Sequence, residues 1–222
     1  MAHADIVRWL MELSTCNLSD ALDSLGIQGA PLGIGPLWSE CGKTAGRAMT
    51  LRLVPEGSES PVEGTLRAIT AAEPGDLLVI DHQGRTDVNS FGGIAAFTAQ
   101  RRGLLGVVID GATRDLEEMR EMNFPAYGKG FIQQSVRGRC AFESFGEEIQ
   151  IGGTKVTRGD YLAADENGVV VIPGERAEEV LQAARRFYER EERIKREIAA
   201  GTDPVEAHRM AGYETVKSEA GS

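Results

Sequence analysis

Apolar residues recur at helical spacing near the start of the chain. Ile6, Trp9, Leu10 and Leu13 share one face across residues 5–14, which predicts an amphipathic helix. A second, short helix is expected at 19–25, capped by Asn17 or Ser19 and stopped by Gly26. The following run, GIQGAPLGIGPLW, is too rich in glycine and proline for regular structure and reads as a loop. From Gly46 the pattern changes. Residues 48–54 (AMTLRLV) alternate like a strand, 65–72 suit a helix, and Glu73-Pro74-Gly75-Asp76 marks a turn. Residues 77–81 (LLVID) and 104–110 (LLGVVID) are continuously apolar, as in strands covered on both faces. A helical stretch at 90–102, stopped by Gly103, separates them, and another follows at about 113–122. Strand, helix, strand, helix implies βαβ units.

The last third turns to β texture. Residues 148–156 predict a hairpin around Gly152-Gly153, with Ile149, Ile151 and Val156 facing inward. Short strands are expected at 161–164 and 168–172, with Pro173 ending the sheet. Residues 175–200 form a long charged helix whose narrow stripe (Val180, Ala184, Phe187, Ile194 and Ile198) suits packing on a neighbouring subunit. The tail beyond Tyr213 is expected to fray. The pattern describes one mixed α/β domain over 1–222, with a core at about 18–174 and a C-terminal helix at about 175–200.

Composition narrows the class. The chain has 222 residues, 41% hydrophobic and 26% charged, a globular balance that excludes extended disorder. A net charge of −10 excludes non-specific nucleic-acid binding, which needs a basic face. No apolar run approaches the ~18 residues of a membrane span, and the N-terminus lacks the basic start of a secretory signal. Cys16, Cys41 and Cys140 are odd in number and form no CxxC pair, which fits reduced thiols and a cytoplasmic location.

Common catalytic signatures are absent: no GxSxG, HExxH, GxxxxGK[ST] or strand-following GxGxxG. His3, His82 and His208 lie far apart in sequence, so a histidine metal cluster is not expected; His82 alone stands at a strand end. Lys129, in AYGKGF, is the best candidate for a Schiff-base lysine, although a hairpin lysine is usually solvated. Cys140 reads as a buried structural thiol, and Arg158-Gly159-Asp160 as a turn.

The informative segments are Gly92-Gly93-Ile94-Ala95 and VVIDGATRDLEEM, ending at Met119. Asp110-Gly111 closes a buried strand, Thr113 is the expected N-cap, and Arg114-Asp115 open the next helix. Asp115 and Glu118, three apart, share a helix face. An ionised carboxylate at such a junction suits a hard divalent cation, and Arg114 can grip a carboxylate with two parallel hydrogen bonds. Capping and surface ion pairing would equally explain an Arg-Asp pair. Paired glycines in a helix's first turn let an anion approach backbone N–H groups, or serve close helix–strand packing.

Gly93, twenty intervening residues, Arg114-Asp115, two more and then Glu118 resemble the signature of the RraA-like family. That family includes metal-dependent 4-hydroxy-4-methyl-2-oxoglutarate/4-carboxy-4-hydroxy-2-oxoadipate aldolases. EPGDLLVID, GLLGVVIDGATRD and RGDYLAADENGVVVIP follow in family order, and the likeness covers roughly 18–200. The resemblance implies a swivelling β/β/α core with flanking N- and C-terminal helices, in a homotrimer or hexamer with sites between subunits. It implies a lyase releasing pyruvate from a 4-hydroxy-2-oxo acid, with oxaloacetate decarboxylation as a side activity. Asp115 would bind Mg²⁺ or Mn²⁺, Arg114 the pyruvyl carboxylate and the developing oxyanion, and the amides of Gly92, Gly93, Ile94 and Ala95 that carboxylate from the other side. An acidic residue of the C-terminal helix, Glu191, Glu192 or Glu197, would reach a neighbour's site. In the aldolases the position of Gly93 is typically Asp or Glu, so the acid–base group here would come from Asp87, Asp110 or Glu118. Some family members instead regulate a ribonuclease by binding it.

Overall fold

A computed structural model describes residues 1–212; the tail expected to fray beyond Tyr213 lies outside them. Two helices, α1 (His3–Glu12) and α2 (Thr15–Ser24), lead into β1 (Gly35–Pro36) and β2 (Thr44–Val54). The chain then alternates through α3 (Pro61–Ala71), β3 (Asp76–Asn89), α4 (Gly93–Arg101), β4 (Val107–Thr113), α5 (Leu116–Glu121) and β5 (Ala126–Gly128). Strands β2, β3, β4 and β5 pair in parallel in that order, so each intervening helix is a crossover and the expected βαβ units are present. Next come β6 (Gly130–Phe131), β7 (Ala141–Phe145), the hairpin β8 (Ile149–Ile151) and β9 (Thr154–Val156), and the antiparallel pair β10 (Tyr161–Asp165) and β11 (Gly168–Ile172). A turn of 3₁₀ helix (Gly174–Arg176) leads into α6 (Ala177–Ala199) and α7 (Pro204–Ala211).

The sheet runs β1-β5-β4-β3-β2-β10-β11, with β6 also on β4 and β7 also on β2. β1, at one edge, touches β10 and β11 at the other, so the sheet curls almost closed. This is the expected mixed α/β architecture, a swivelling β/β/α core with flanking N- and C-terminal helices.

The continuously apolar strands have the two-sided burial their sequence demands. Leu78, Ile80, Val107 and Ile109 face the helices with Ile69, Phe91 and Phe124. Leu77, Val79 and Val108 point into the curl with Tyr127, Ile151 and Leu162. A third cluster packs Leu10, Leu18 and Leu22 of α1 and α2 on Val180, Leu181, Ala184 and Phe187 of α6. The stripe expected to meet a neighbouring subunit is therefore largely covered within the chain, because α1 and α2 fold onto it.

Several boundaries move for local reasons. α2 starts at Thr15 because the Ser14 hydroxyl accepts the Asn17 N–H, which puts both expected caps inside the helix. α3 starts at Pro61, where proline loses no helical hydrogen bond and the Ser60 hydroxyl accepts from Glu63 N–H. The helix expected from 90 starts at Gly93, since Ser90 N–H donates to Ala112 O and continues the β3–β4 pairing. The helix expected from 113 shortens to Leu116–Glu121. Thr113 is the last residue of β4 rather than a cap, and its hydroxyl donates to Phe91 O at 2.7 Å. Among the described residues no helix is long and apolar enough to cross a membrane.

Candidate active site

The carboxyl ends of β3 and β4 lie side by side, and the chain leaves each to begin a helix. A dense set of hydrogen bonds locks the two exits together. Phe91 O accepts from the Asn89 side-chain amide (3.1 Å), the Thr113 hydroxyl (2.7 Å) and Arg114 N–H (3.1 Å). Gly93 N–H donates to Asp115 Oδ2 at 2.9 Å. Beside this junction opens a pocket of about 230 Å³, whose lining includes Gly92, Gly93, Ile94, Ala95, Arg114, Asp115 and Glu118. The structure thus brings both segments singled out in the sequence to one cavity.

Asp115 is the N-cap of α5 but does not cap it with its side chain; the carboxylate reaches across to α4 instead. Its backbone is left-handed, with φ 60° and ψ 40°, a conformation that aspartate tolerates better than most residues. Arg114 Nε stands 3.3 Å from Asp115 Oδ2, an ion pair. The alignment is too poor for a hydrogen bond, so this buried N–H has no acceptor. Such a donor suits a ligand carboxylate or oxyanion.

The two glycines serve space rather than strain, since Gly92 is in ordinary extended backbone at φ −159°. A Cβ on Gly92 would fall 2.7 Å from Asp115 Oδ2, and one on Gly93 would fall 2.0 Å from Glu118 Oε2. The Glu118 carboxylate therefore occupies the room that a side chain at 93 would take. Two carboxylates on this glycine cradle fit a hard divalent cation, which takes one or two carboxylates and keeps several waters. Among the described residues no group of three or more His, Cys, Asp or Glu could hold a metal. A cation held by Asp115 and Glu118 alone would keep most of its waters.

Other candidates lie elsewhere. Asp87 pairs with Arg85, and Asp110 with Lys129 at 2.6 Å while accepting Gly152 N–H. Neither lines the pocket, so of the three proposed acid–base groups only Glu118 is there. Lys129 is spent on that ion pair. His82 is buried with Nε2 against Val88 O, and burial holds its imidazole below the usual range. Burial pushes the Cys140 thiol up. On α6, Glu191 accepts from Asn17, Glu192 pairs with Lys195, and Glu197 accepts from Thr202, all away from this chain's pocket. Of the four expected amide donors, Gly93 N–H is already given to Asp115. The lining also includes Pro61, Val62, Thr65, Leu66, Asn89 and a Ser135–Arg137 segment. None of these carries a signal in the sequence.

The fold and the pocket define an α/β protein with a cavity at paired strand ends, lined by Arg114, Asp115 and Glu118. The family model for RraA-like proteins, described as Aldolase/RraA, matches residues 15–171, and the chain belongs to that family. It is 30% identical over 207 residues to a putative 4-hydroxy-4-methyl-2-oxoglutarate aldolase of Halalkalibacterium halodurans, covering 93% of this chain and 95% of that one. It is 34% identical over 209 residues to Protein DlpA of Legionella pneumophila; the match covers 92% of this chain but only 34% of DlpA's length. Among solved structures it resembles Streptomyces coelicolor RraAS2, an unusual member of the RNase ES inhibitor RraA family. The TM-score is 0.77 at 26% identity, over 85% of this chain and 95% of that one.

Proposed function

We propose that the protein is a carbon–carbon lyase that cleaves a 4-hydroxy-2-oxo acid to pyruvate by retro-aldol chemistry, using Mg²⁺ or Mn²⁺. The observation that carries this reading is the convergence of Arg114, Asp115 and Glu118 on the Gly92-Gly93 cradle. Asp115 would hold the cation, which when bound withdraws electrons from the 2-oxo group as a Lewis acid. Arg114 presents its unsatisfied N–H to the carboxylate and opposes charge developing on the 2-oxo oxygen. Glu118 accepts the 4-hydroxyl proton as the C3–C4 bond breaks and that bond's electron pair moves toward the 2-oxo group, and it then returns the proton to C3 to give pyruvate. The amides of Gly92, Ile94 and Ala95 face the substrate carboxylate. Oxaloacetate decarboxylation needs the same electron sink and accompanies the main reaction. A cytoplasmic homotrimer or hexamer, in which Glu192 would approach a neighbour's pocket, belongs to this reading; sedimentation velocity and Glu192→Ala kinetics test that part.

The direct test couples pyruvate release to NADH oxidation by lactate dehydrogenase. The substrates are 4-hydroxy-4-methyl-2-oxoglutarate, 4-carboxy-4-hydroxy-2-oxoadipate and oxaloacetate, each with Mg²⁺ and with EDTA. Release that EDTA stops supports the reading, and no release from any substrate overturns it. The likeness to RraAS2 favours a second reading, a regulator that binds a ribonuclease. Capture of an RNA-degradation complex by a protein without turnover would favour it.

A further inference from the structure

The pocket has a second cationic residue that the proposed chemistry leaves unused. Besides the Gly92–Glu118 side, it is lined by the start of α3 and by Ser135, Val136 and Arg137. This segment is firmly tied down. Val136 N–H donates to Asn89 Oδ1 at 2.8 Å, and Asn89 N–H donates to Gln134 O at 3.0 Å. Val136 is buried in a small cluster with Val88 and Cys140, against which Val62 packs. Arg139 closes the turn, its Nη1 donating to Ser135 O at 3.1 Å and Arg137 O at 3.5 Å. Asn89 is also the residue that ends β3 and donates to Phe91 O. One side chain therefore connects the Arg137 turn to the Arg114 junction.

The anchored backbone carries an exposed Arg137 side chain that forms no ion pair among the described residues. Many arginines of this acidic chain are neutralised: Arg47 by Asp76, Arg52 by Asp81, Arg85 by Asp87. Besides Arg114, Arg137 and the two carboxylates, the same lining includes the apolar side chains of Val62, Leu66, Phe91 and Val136. That arrangement suits a short carbon chain with an acidic group at each end.

Charge balance points the same way. Asp115 and Glu118 against Arg114 and a divalent cation leave one positive charge, enough for one ligand carboxylate. A second ligand carboxylate needs another cation. Resting on the 2-oxo-acid reading of this pocket, we infer that Arg137 is a specificity-determining residue that binds the carboxylate at the far end of the substrate, away from the 2-oxo group. It selects substrates with that second carboxylate over those with a neutral group there.

The test uses binding, so it does not depend on turnover. 2-Oxoglutarate and 2-oxopentanoate have the same five-carbon 2-oxo-acid chain and differ only in carboxylate against methyl at the far end. Calorimetric titration with Mg²⁺ present compares wild type, Arg137→Gln and Arg137→Lys. Wild type is expected to prefer 2-oxoglutarate by about tenfold, the lower range for a charge-assisted hydrogen bond because Arg137 is open to water. Arg137→Gln abolishes the preference by weakening 2-oxoglutarate alone, and Arg137→Lys restores part of it. Wild type binding both equally, or a preference that Arg137→Gln leaves intact, overturns the role of Arg137 and leaves the lyase reading standing. If wild type binds neither, the 2-oxo-acid reading falls and this inference with it. Failure to turn over any substrate while the Arg137-dependent preference persists counts against the lyase alone.

Discussion

Asp115 and Gly93, 22 residues apart, are joined by a 2.9 Å hydrogen bond from backbone N–H to carboxylate. This bond spans from the start of α5 to the start of α4 and fixes where the Asp115 charge sits. Asp115→Asn keeps an oxygen that can accept the Gly93 N–H and tolerates the left-handed backbone. Its unfolding free energy should change by no more than about 1 kcal/mol. Lewis-acid stabilisation worth several kcal/mol depends on the lost charge, so EDTA-sensitive pyruvate release should fall by about 100-fold or more. Full turnover in this variant would remove Asp115 from the metal site.

Glu118 and Gly93 make a sharper pair. Glu118 sits where a side chain at 93 would go, so Gly93→Ala forces the carboxylate to swing away while the helix start gains a better helix former. Pyruvate release should drop by about tenfold with little change in melting temperature. In the Glu118→Ala background, adding Gly93→Ala should cost nothing more, because the displaced group is already gone. Additive losses would show that Gly93 acts by another route.

Arg114 tests the geometry of anion binding. Arg114→Lys keeps the charge but loses the planar fork, and the buried Nε–H that lacks an acceptor disappears with it. The expected outcome is at least a ~10-fold loss of kcat/KM. Wild-type kinetics would take Arg114 out of the mechanism.

Much of this arrangement was legible in the sequence, for identifiable reasons. LLVI and GVVI are apolar at every position, which only strands covered on both faces require, and β3 and β4 have that burial. Gly92-Gly93 stood out because paired glycines break the ordinary preference of a helix's first turn, and Arg114-Asp115 because of its spacing from Gly93 and Glu118. The left-handed Asp115 was invisible, since a carboxylate at a helix start looks like a local cap when its acceptor role lies 22 residues away. Arg137 was equally hidden. Its turn is held by Asn89 through a contact spanning 47 residues, and no periodicity reports such a contact. The α6 stripe was read correctly as apolar, but its partner was not, because which surface covers a stripe is decided by chain connectivity.

Lys129 separates two kinds of aldolase chemistry. Its ammonium pairs at 2.6 Å with Asp110, whose side chain is 10% exposed. Lys129→Met strands that carboxylate and should destabilise the protein by about 2 kcal/mol, less than for a fully buried pair because the lysine itself is partly open to water. Melting should move down by roughly 5 °C. Borohydride reduction with pyruvate should leave no lysine adduct in the wild type; an adduct on Lys129 would replace the cation mechanism with a Schiff base.

Stability should fall on mild acidification, and His82 supplies the reason. Burial, with Arg85 adding to it, holds its imidazole below the usual 6.5, while the Val88 carbonyl, Asp87 and Asp81 pull the other way without prevailing. The unfolded chain therefore takes up a proton at a higher pH than the folded one. Stability contributed by neutral His82 is present above pH ~6.5 and is lost as pH falls toward the lower folded value. Asp165 works in a separate window. Burial would raise it, but hydrogen bonds from Thr15 and Asn167 outweigh burial and depress it below the usual 3.8, so its stabilisation is lost only in stronger acid. Urea melts of wild type and His82→Asn at pH 7 and pH 5 isolate the histidine. The variant begins less stable, having lost a buried ring, yet its stability should depend less on pH over this interval. Equal slopes for the two proteins would mean that His82 does not govern the acid sensitivity.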